Sequence, residues 1–425
     1  MKLLHITAHL GGGVGKVLSR LVEASARRGD GIEHTIACLE APEKPQFATH
    51  VEACGGTLVC APTPEALDAL VQAADLVQLE WWHHPVVARW LCAGPLPAMR
   101  LVVWSHVSGL HAPELLPAFV RAPHRFLLTS PCSLGHPALA PLAQDPQTHL
   151  GVVFSSGGFD DLPPPPQRAP DGPLRVGYLG TLNFAKLHPA LLDFVGAVRD
   201  PAFSLSLVGD PTTATALHSA AVQRGLAGRI RLCGYTTDVA ATLAGFDVFA
   251  YVLNPRHYGT TENALLEAMA MGVVPVVLDN PAERELVAHR RTGLIVHTPA
   301  EFADAIAWLA AHPAERQRLA ANAAAEVRAR FAVDRTADAL DAHYRAVLSE
   351  PKRGFDFRPI FGATPADWFL NCQGSARARF GSPPRATDTP HHLLERTKGS
   401  VFHYHATFPD DPRLAAWARQ LEHAR

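Results

Sequence analysis

Thr260, Thr261, Glu262, Asn263 and Glu267 gather at the mouth of a helix in the stretch HYGTTENALLEAMAMGVVPVV, residues 257–277. The helix start itself suits an anion, because the first backbone N–H groups have no partner inside the helix and its dipole favours negative charge. Thr260 and Thr261 are expected either to cap that helix or to hold a phosphate there. Asn263 and Glu267 are four residues apart and share one helical face. Glu262 and Glu267 are five apart. At ~100° per residue they stand about 140° apart around the axis, so one helix cannot bring them together as the paired carboxylates of a hydrolase. Glu267 sits among Leu265, Leu266, Ala268 and Met269, apolar company in which a carboxylate needs a partner. Ribose hydroxyls would serve it.

Two further stretches carry candidate chemistry. HLGGGVGKV places Gly11, Gly12, Gly13 and Gly15 where a strand turns into a helix, a setting for close approach of a phosphate to the backbone. It is not a Walker A loop, which would put glycine at Leu10 and a hydroxyl at Val17. In GYLGTLNFAKLHP, Gly180 closes a strand and Lys186 follows in a loop, within reach of a phosphate as a point charge. The bland alternatives are a glycine turn needed only for chain reversal and an exposed lysine without a role.

The elements that must position these residues alternate strand and helix, the pattern of a parallel sheet covered on both faces. KLLHIT, HTIACL, LVQLEW and RLVVWSH are expected as the first strands, with GKVLSRLVEASARRG as the first connecting helix. A second series runs LRVGYLG, SLSLVGD, RIRLCGY, DVFAYVL, VVPVVL and TGLIVH. The fold class is therefore α/β, two doubly wound units, which the resemblance stated below implies to be Rossmann-like domains. DDLPPPPQRAPDGP, residues 160–173, is the best linker candidate because its prolines forbid helix or central strand. VDRTADALDAHYRAVLSE is expected to be the last helix of the second series. Residues 351–390 read as irregular or mobile from their Gly, Pro, Ser and Arg content, followed by a short aromatic strand-like run and a final helix around Leu414, Trp417 and Leu421.

Composition narrows the function classes. With 425 residues and 48% hydrophobic content, two or three domains with full cores are expected. The formal charge of −2 gives no electrostatic footprint for a nucleic acid. The seven cysteines form no C-x-x-C pair, so neither a zinc framework nor disulfides are indicated and a reducing cytoplasm fits best. MKLLHITAHL enters a strand pattern without the apolar core of a signal peptide, and the chain is expected to be soluble or at most peripheral at the inner face of the membrane. The histidine pairs His83–His84, His391–His392 and His403–His405 lack cysteine or carboxylate partners at supporting spacing, so no metal site and no cofactor is expected.

Taken together and in order, these pieces resemble the retaining glycosyltransferases of family four, which have the GT-B fold. The resemblance covers roughly residues 1–349 and is most specific in ENALLEAMAMGVVPVV and NPAERELVAHRRTGLIV, supported by VVWSHVSG, SSGGFD, LVGDP and CGY. It implies an N-terminal acceptor-side domain (1–165), a C-terminal nucleotide-sugar donor domain (166–349) whose last helix crosses back, and an extension (350–425) outside the family pattern. It implies transfer of a sugar from a nucleotide-diphosphate sugar to a glycan or lipid-linked acceptor hydroxyl, without metal. By position, Glu267 would hold the donor ribose and Lys186 would neutralise the diphosphate. Thr260, Thr261, Glu262 and Asn263 would contact sugar and phosphates, Gly234 and Tyr235 would line the donor site, Gly12 and Gly13 would face it, and His106 would stand near the reacting sugar. Two positions depart from the family: Gly259 replaces a glutamate and Thr181 an arginine. A non-catalytic protein of this fold, or a nucleotide-sugar epimerase, is the alternative.

Overall fold

The computed structural model describes the chain except residues 43–44, 146, 169–171, 211–212, 381–390 and 424–425. Two compact units emerge. The first comprises Met1–Gly158, Tyr258–Thr261 and Val333–Arg425, and the second Phe159–His257 with Glu262–Ala332.

The first unit is built on β1 (Lys2–Thr7), β2 (Glu33–Cys38), β3 (Thr57–Cys60), β4 (Leu76–Trp81), β6 (Leu101–Ser105), β7 (Arg125–Leu128) and β8 (Leu150–Val152), with β5 (Leu96–Met99) outside this sheet. The order is β3-β2-β1-β4-β6-β7-β8, parallel throughout. The chain leaves β1 toward β2 and later fills the other side of β1 with β4. That reversal leaves a crevice beyond the carboxyl ends of β1 and β4, the usual place for a ligand in such sheets. Helix α1 (Gly12–Arg28) follows β1 and buries Val17, Leu18, Leu21 and Val22. Part of the glycine cluster serves the fold. Gly12 has φ +56°, and a Cβ on Gly15 would lie 2.7 Å from the Phe47 ring and 3.0 Å from the Leu10 carbonyl carbon. Helix α2 (Pro85–Cys92) follows β4.

The second unit carries β9 (Val176–Leu179), β10 (Leu205–Val208), β11 (Ile230–Gly234), β12 (Val248–Tyr251), β13 (Val274–Leu278) and β14 (Leu294–Val296) in the order β11-β10-β9-β12-β13-β14. Its reversal lies between β9 and β12. Helix α3 (Asn263–Ala270) connects β12 to β13 and buries Leu265, Leu266, Ala268 and Met269. The ends of β9 and β10 approach so closely that a Cβ on Gly209 would sit 1.7 Å from the Gly180 carbonyl oxygen. The proline-rich stretch is tied to this unit: the Arg168 guanidinium donates to the carbonyls of Phe246, Gly272 and Leu243 at 2.8, 2.9 and 3.3 Å.

Helix α4 (Val333–Leu348) belongs to the first unit, packing Ala337, Leu340, Tyr344 and Val347 into its core. Beyond it the structure departs from the sequence reading. Residues 351–380 are ordered rather than irregular, with β15 (Arg353–Phe355) pairing antiparallel to β5 and helix α5 (Pro365–Asn371) closed by a Thr364–Asp367 capping box. The aromatic run read as strand-like is helix α6 (Val401–Thr407), followed by α7 (Pro412–Glu422). Residues 381–390, part of the stretch expected to be irregular, lie outside the described residues.

The physical reason is aromatic spacing within a Gly- and Pro-rich composition. Phe355, Phe357, Phe361, Trp368, Phe369 and Phe380 are all buried and join the core of the first unit. The Phe361 ring lies 5.0 Å from Phe119 and 5.5 Å from Trp81 between centroids. Each such ring buries on the order of 150–250 Å², enough to override a loop-like composition. Phe361→Ala is accordingly expected to lower stability by ~3–5 kcal/mol, read as a reduced urea midpoint of the first unit's transition. A midpoint unchanged within error would show that this segment is an appendage and not core.

Candidate functional site

Each unit gathers a buried cluster of ionisable groups near its own strand-order reversal. In the second unit Lys186 lies in the loop after β9, its backbone N–H held by Asn183 Oδ1 at 2.9 Å and its carbonyl accepting the Asn254 N–H at 2.7 Å. The Lys186 ammonium meets Glu262 Oε2 at 2.8 Å, and the Tyr251 hydroxyl donates to the same oxygen at 2.5 Å. His257 stands 3.8 Å from Glu262 and 3.2 Å from Glu283, both carboxylates being buried. Burial alone would push the Glu262 carboxyl up, but the Lys186 ammonium and His257, with the bonds from Lys186 and Tyr251, hold it down at about 2. Burial would lower His257, yet Glu283 and then Glu262 raise it above the ordinary imidazole value. Burial, then Glu262, keeps the Tyr251 phenol well above its usual range.

Glu262 is therefore the anchor of a charge network at the entrance to α3, of which it is the N-cap residue without a side-chain capping bond. Asn263 opens that helix, and Glu267, one turn on, is buried at 9% exposure. Thr260 and Thr261 differ from the expectation that they cap the helix. They belong with the first unit. Thr129 Oγ1 donates to Thr260 Oγ1 at 2.6 Å, while Thr261 Oγ1 donates to the Thr129 carbonyl at 2.7 Å and accepts the Ser155 N–H at 3.2 Å. Gly234 ends β11 with φ +75° and accepts the Gly209 N–H at 2.8 Å, and Tyr235 beside it is 52% exposed.

In the first unit Gly12 and Gly13 form the exposed first turn of α1. His106 follows β6, and its Nε2 lies 2.6 Å from Glu80 Oε2 on the neighbouring strand β4. Glu80 has no solvent exposure. Its other oxygen accepts Gln78 Nε2 at 2.7 Å and faces His5 Nδ1 at 3.4 Å. The Tyr344 hydroxyl donates to Gln78 Oε1 at 2.5 Å, which fixes the amide with its NH₂ toward Glu80. His5 Nε2 in turn meets His34 Nδ1 at 3.0 Å. Burial would raise the Glu80 carboxyl, but the bonds from His106 and His5 more than offset this and keep it below the ordinary carboxylate value. An ionised carboxylate only accepts, so the His106 nitrogen facing it carries a proton, and a neutral ring held this way has its lone pair on Nδ1.

His106, Lys186 and Glu262 are candidates from the sequence, and the structure adds Glu80, Tyr251, His257 and Glu283 as their buried partners, which the sequence reading did not single out. A signal for Glu80 was present: Gln78 and Glu80 recur at alternate positions in LVQLEW, polar groups on one face of an otherwise apolar strand.

Comparison with known proteins supplies a frame for this geometry. Residues 173–312 match the family model of glycosyl transferases group 1. Lys186, Tyr251, His257, Glu262, Glu267 and Glu283 all fall inside the matched segment. A GDP-mannose-dependent alpha-mannosyltransferase of Mycolicibacterium smegmatis is 34% identical over 182 residues, 42% of this chain and 45% of that protein. The lipopolysaccharide core biosynthesis glycosyltransferase LpsE of Rhizobium meliloti is 33% identical over 124 residues, 29% of this chain and 36% of that one. The chain thus matches less than half the length of these curated relatives. Among solved structures, HepE of Anabaena in complex with UDP and glucose aligns with a TM-score of 0.64 and 18% identity, over 81% of this chain and 100% of that chain. That likeness is one of fold: two parallel-sheet Rossmann-like units of the GT-B class. Among the described residues, no helix is long and apolar enough to cross a membrane.

Proposed function

We propose that the chain is a retaining glycosyltransferase that moves a hexose from a nucleotide-diphosphate sugar to an acceptor hydroxyl, without metal, in glycan or polysaccharide biosynthesis. The observation that carries this reading is that the segment matching the glycosyl transferases group 1 model holds Lys186, Glu262 and Glu267 at the strand-order reversal of its own sheet. In this reading Glu267 binds the donor ribose. The Lys186 ammonium and the N–H groups opening α3 stabilise charge on the departing diphosphate. The bond from the anomeric carbon to the phosphate oxygen breaks with its electron pair going to the diphosphate, a bond to the acceptor oxygen forms, and the acceptor proton passes to the leaving phosphate. Asn263 contacts sugar and phosphates, and Gly234 and Tyr235 line the donor site; by family position, His106, Gly12, Gly13, Thr260 and Thr261 of the first unit would serve the reacting sugar and its phosphates. The reading includes a glycan or lipid-linked glycan acceptor and a cytoplasmic location, peripheral to the membrane at most; the lipopolysaccharide core glycosyltransferase among the relatives supports the glycan acceptor.

A thermal-shift panel of UDP- and GDP-sugars, with donor consumption measured in parallel, tests this. A ligand binding only the folded state raises stability by about 2.7 kcal/mol at a hundredfold excess over its Kd. One nucleotide-sugar is expected to shift the wild type, and Glu267→Ala to lose the shift. A shift common to wild type and Glu267→Ala would place the donor elsewhere. The engagement of Lys186 by Glu262, with Gly259 and Thr181 at the two departing positions, favours a second reading, a protein that binds a nucleotide-sugar without transferring it. Binding without donor consumption over a panel of acceptors would select that one.

A further inference from the structure

Beyond the carboxyl ends of β1, β2 and β4, at the strand-order reversal of the first unit, His9, Glu40 and His84 converge, with one ligand atom from each within 4.8 Å of the others. We infer that these three residues form a binding site for a divalent transition metal of the zinc class. His9 and His84 are buried at 7% and 0% exposure, and Glu40 stands at the rim.

The decisive geometry is between His84 Nε2 and Glu40 Oε1. They lie 3.3 Å apart as an ion-pair contact that draws the Glu40 carboxyl below its ordinary value, yet the buried Nε2 makes no well-aligned hydrogen bond. Two atoms each about 2.0–2.1 Å from one tetrahedral zinc would themselves be about 3.3 Å apart, facing the ion and not each other. Two imidazoles and one carboxylate are a recurrent three-ligand set for zinc, with remaining positions left to water or a further side chain. His403 on α6 is the candidate for such a position, its ring 4.5 Å from that of His84 between centroids.

Two contacts oppose the ion and must yield to it. The Lys398 ammonium lies 2.8 Å from His9 Nε2, a cation in contact with a prospective ligand atom. The Val86 N–H leans on His84 Nδ1 at 3.4 Å, a contact too long and weak to hold the tautomer against a metal on Nε2. The three ligands come from loops after separate strands, so no sequence spacing announces them. No step of the proposed transfer runs through this metal.

The full chain, freed of any affinity tag and stripped with EDTA, is loaded with zinc chloride, exchanged into metal-free buffer and analysed by elemental mass spectrometry. Cobalt chloride titration reports coordination through visible d–d bands. About one equivalent of zinc per chain is expected to remain, with a tetrahedral cobalt spectrum. Glu40→Gln and His84→Ala are each expected to weaken affinity at least ~10-fold. Because His84 also caps α2, Glu40→Gln at the rim is the variant that keeps the fold. Lys398→Ala, which removes the competing ammonium, is expected to bind severalfold tighter. Retention well below one equivalent, or wild-type affinity in Glu40→Gln, would overturn the site, and weaker binding in Lys398→Ala would count against it.

Discussion

Lys186→Met is expected to cost the protein both activity and stability, and the two losses have different causes. In the wild type the ammonium and Glu262 form an ion pair at 2.8 Å with side-chain exposures of 26% and 3%. Methionine keeps most of the volume but leaves Glu262 buried with Tyr251 and His257 as its remaining close partners. Removing one member of a buried pair costs ~3–5 kcal/mol, and the partial exposure of Lys186 places the expected loss near the lower end, about 3 kcal/mol. The pH dependence gives an independent reading. The wild-type Glu262 carboxyl sits at about 2 against an ordinary value of 4.5. Its folded pKa is depressed, so its contribution is fully present above the ordinary value and is lost as pH falls through the folded one. In Lys186→Met that acid-dependent component should shrink, so stability falls less steeply between about 4.5 and 2, measurable by urea unfolding of the second unit across that window. Transfer should fall by about 10² to 10³, as for loss of one preorganised charge donor at a departing oxyanion. A variant with unchanged turnover but reduced stability would leave Lys186 a structural residue and return the diphosphate to the N–H groups of α3.

How much of this was legible beforehand divides along one physical line. Short-range pattern carried well: the helix 263–270 and the strand 274–278 follow from ENALLEAMAMGVVPVV because apolar spacing and a glycine turn suffice to place them. Six apolar runs gave the strands of the second unit within two residues at each end. Long-range pairing did not carry. Glu262 looked misdirected relative to Glu267 around the helix, yet its partner is Lys186 beyond the end of β9, and only the adjacency of β9 and β12 brings them together. Thr260 and Thr261 looked like helix caps because they precede the helix, whereas their hydroxyls bond Thr129 and Ser155. The extension was misjudged for a third reason. Gly, Pro and Ser content describes the backbone's freedom, but burial of Phe361, Trp368 and Phe369 decides whether that freedom is used.

In the first unit the adjacency of β4 and β6 makes Glu80 the second residue whose replacement should be costly. On the proposed function it would act through His106 and not on substrate, and Glu80→Gln is expected to lower kcat about 10²-fold while the donor KM stays within about twofold. The size of the effect follows from proton placement. In the wild type Glu80 accepts from Gln78 and faces the nitrogens of His5 and His106 as an acceptor, an arrangement that selects Nε2–H in a neutral His106 ring. A glutamine side chain presents one acceptor and one donor to the same three neighbours. Either the amide NH₂ faces an N–H, which is repulsive, or a histidine changes tautomer to relieve the conflict, and a buried group left unsatisfied costs ~1–3 kcal/mol. Nitrogen-15 NMR of the histidines reads this without relying on turnover: His106 should be the Nε2–H tautomer in the wild type and shift toward Nδ1–H in Glu80→Gln. Glu80→Asp, which retains the carboxylate, should retain the tautomer and recover part of kcat. If Glu80→Gln kept the wild-type tautomer yet lost activity, Glu80 would be holding the sheet and not the imidazole. If it lost the tautomer and kept activity, His106 would stand apart from the reacting sugar even though the donor site in the second unit remained intact.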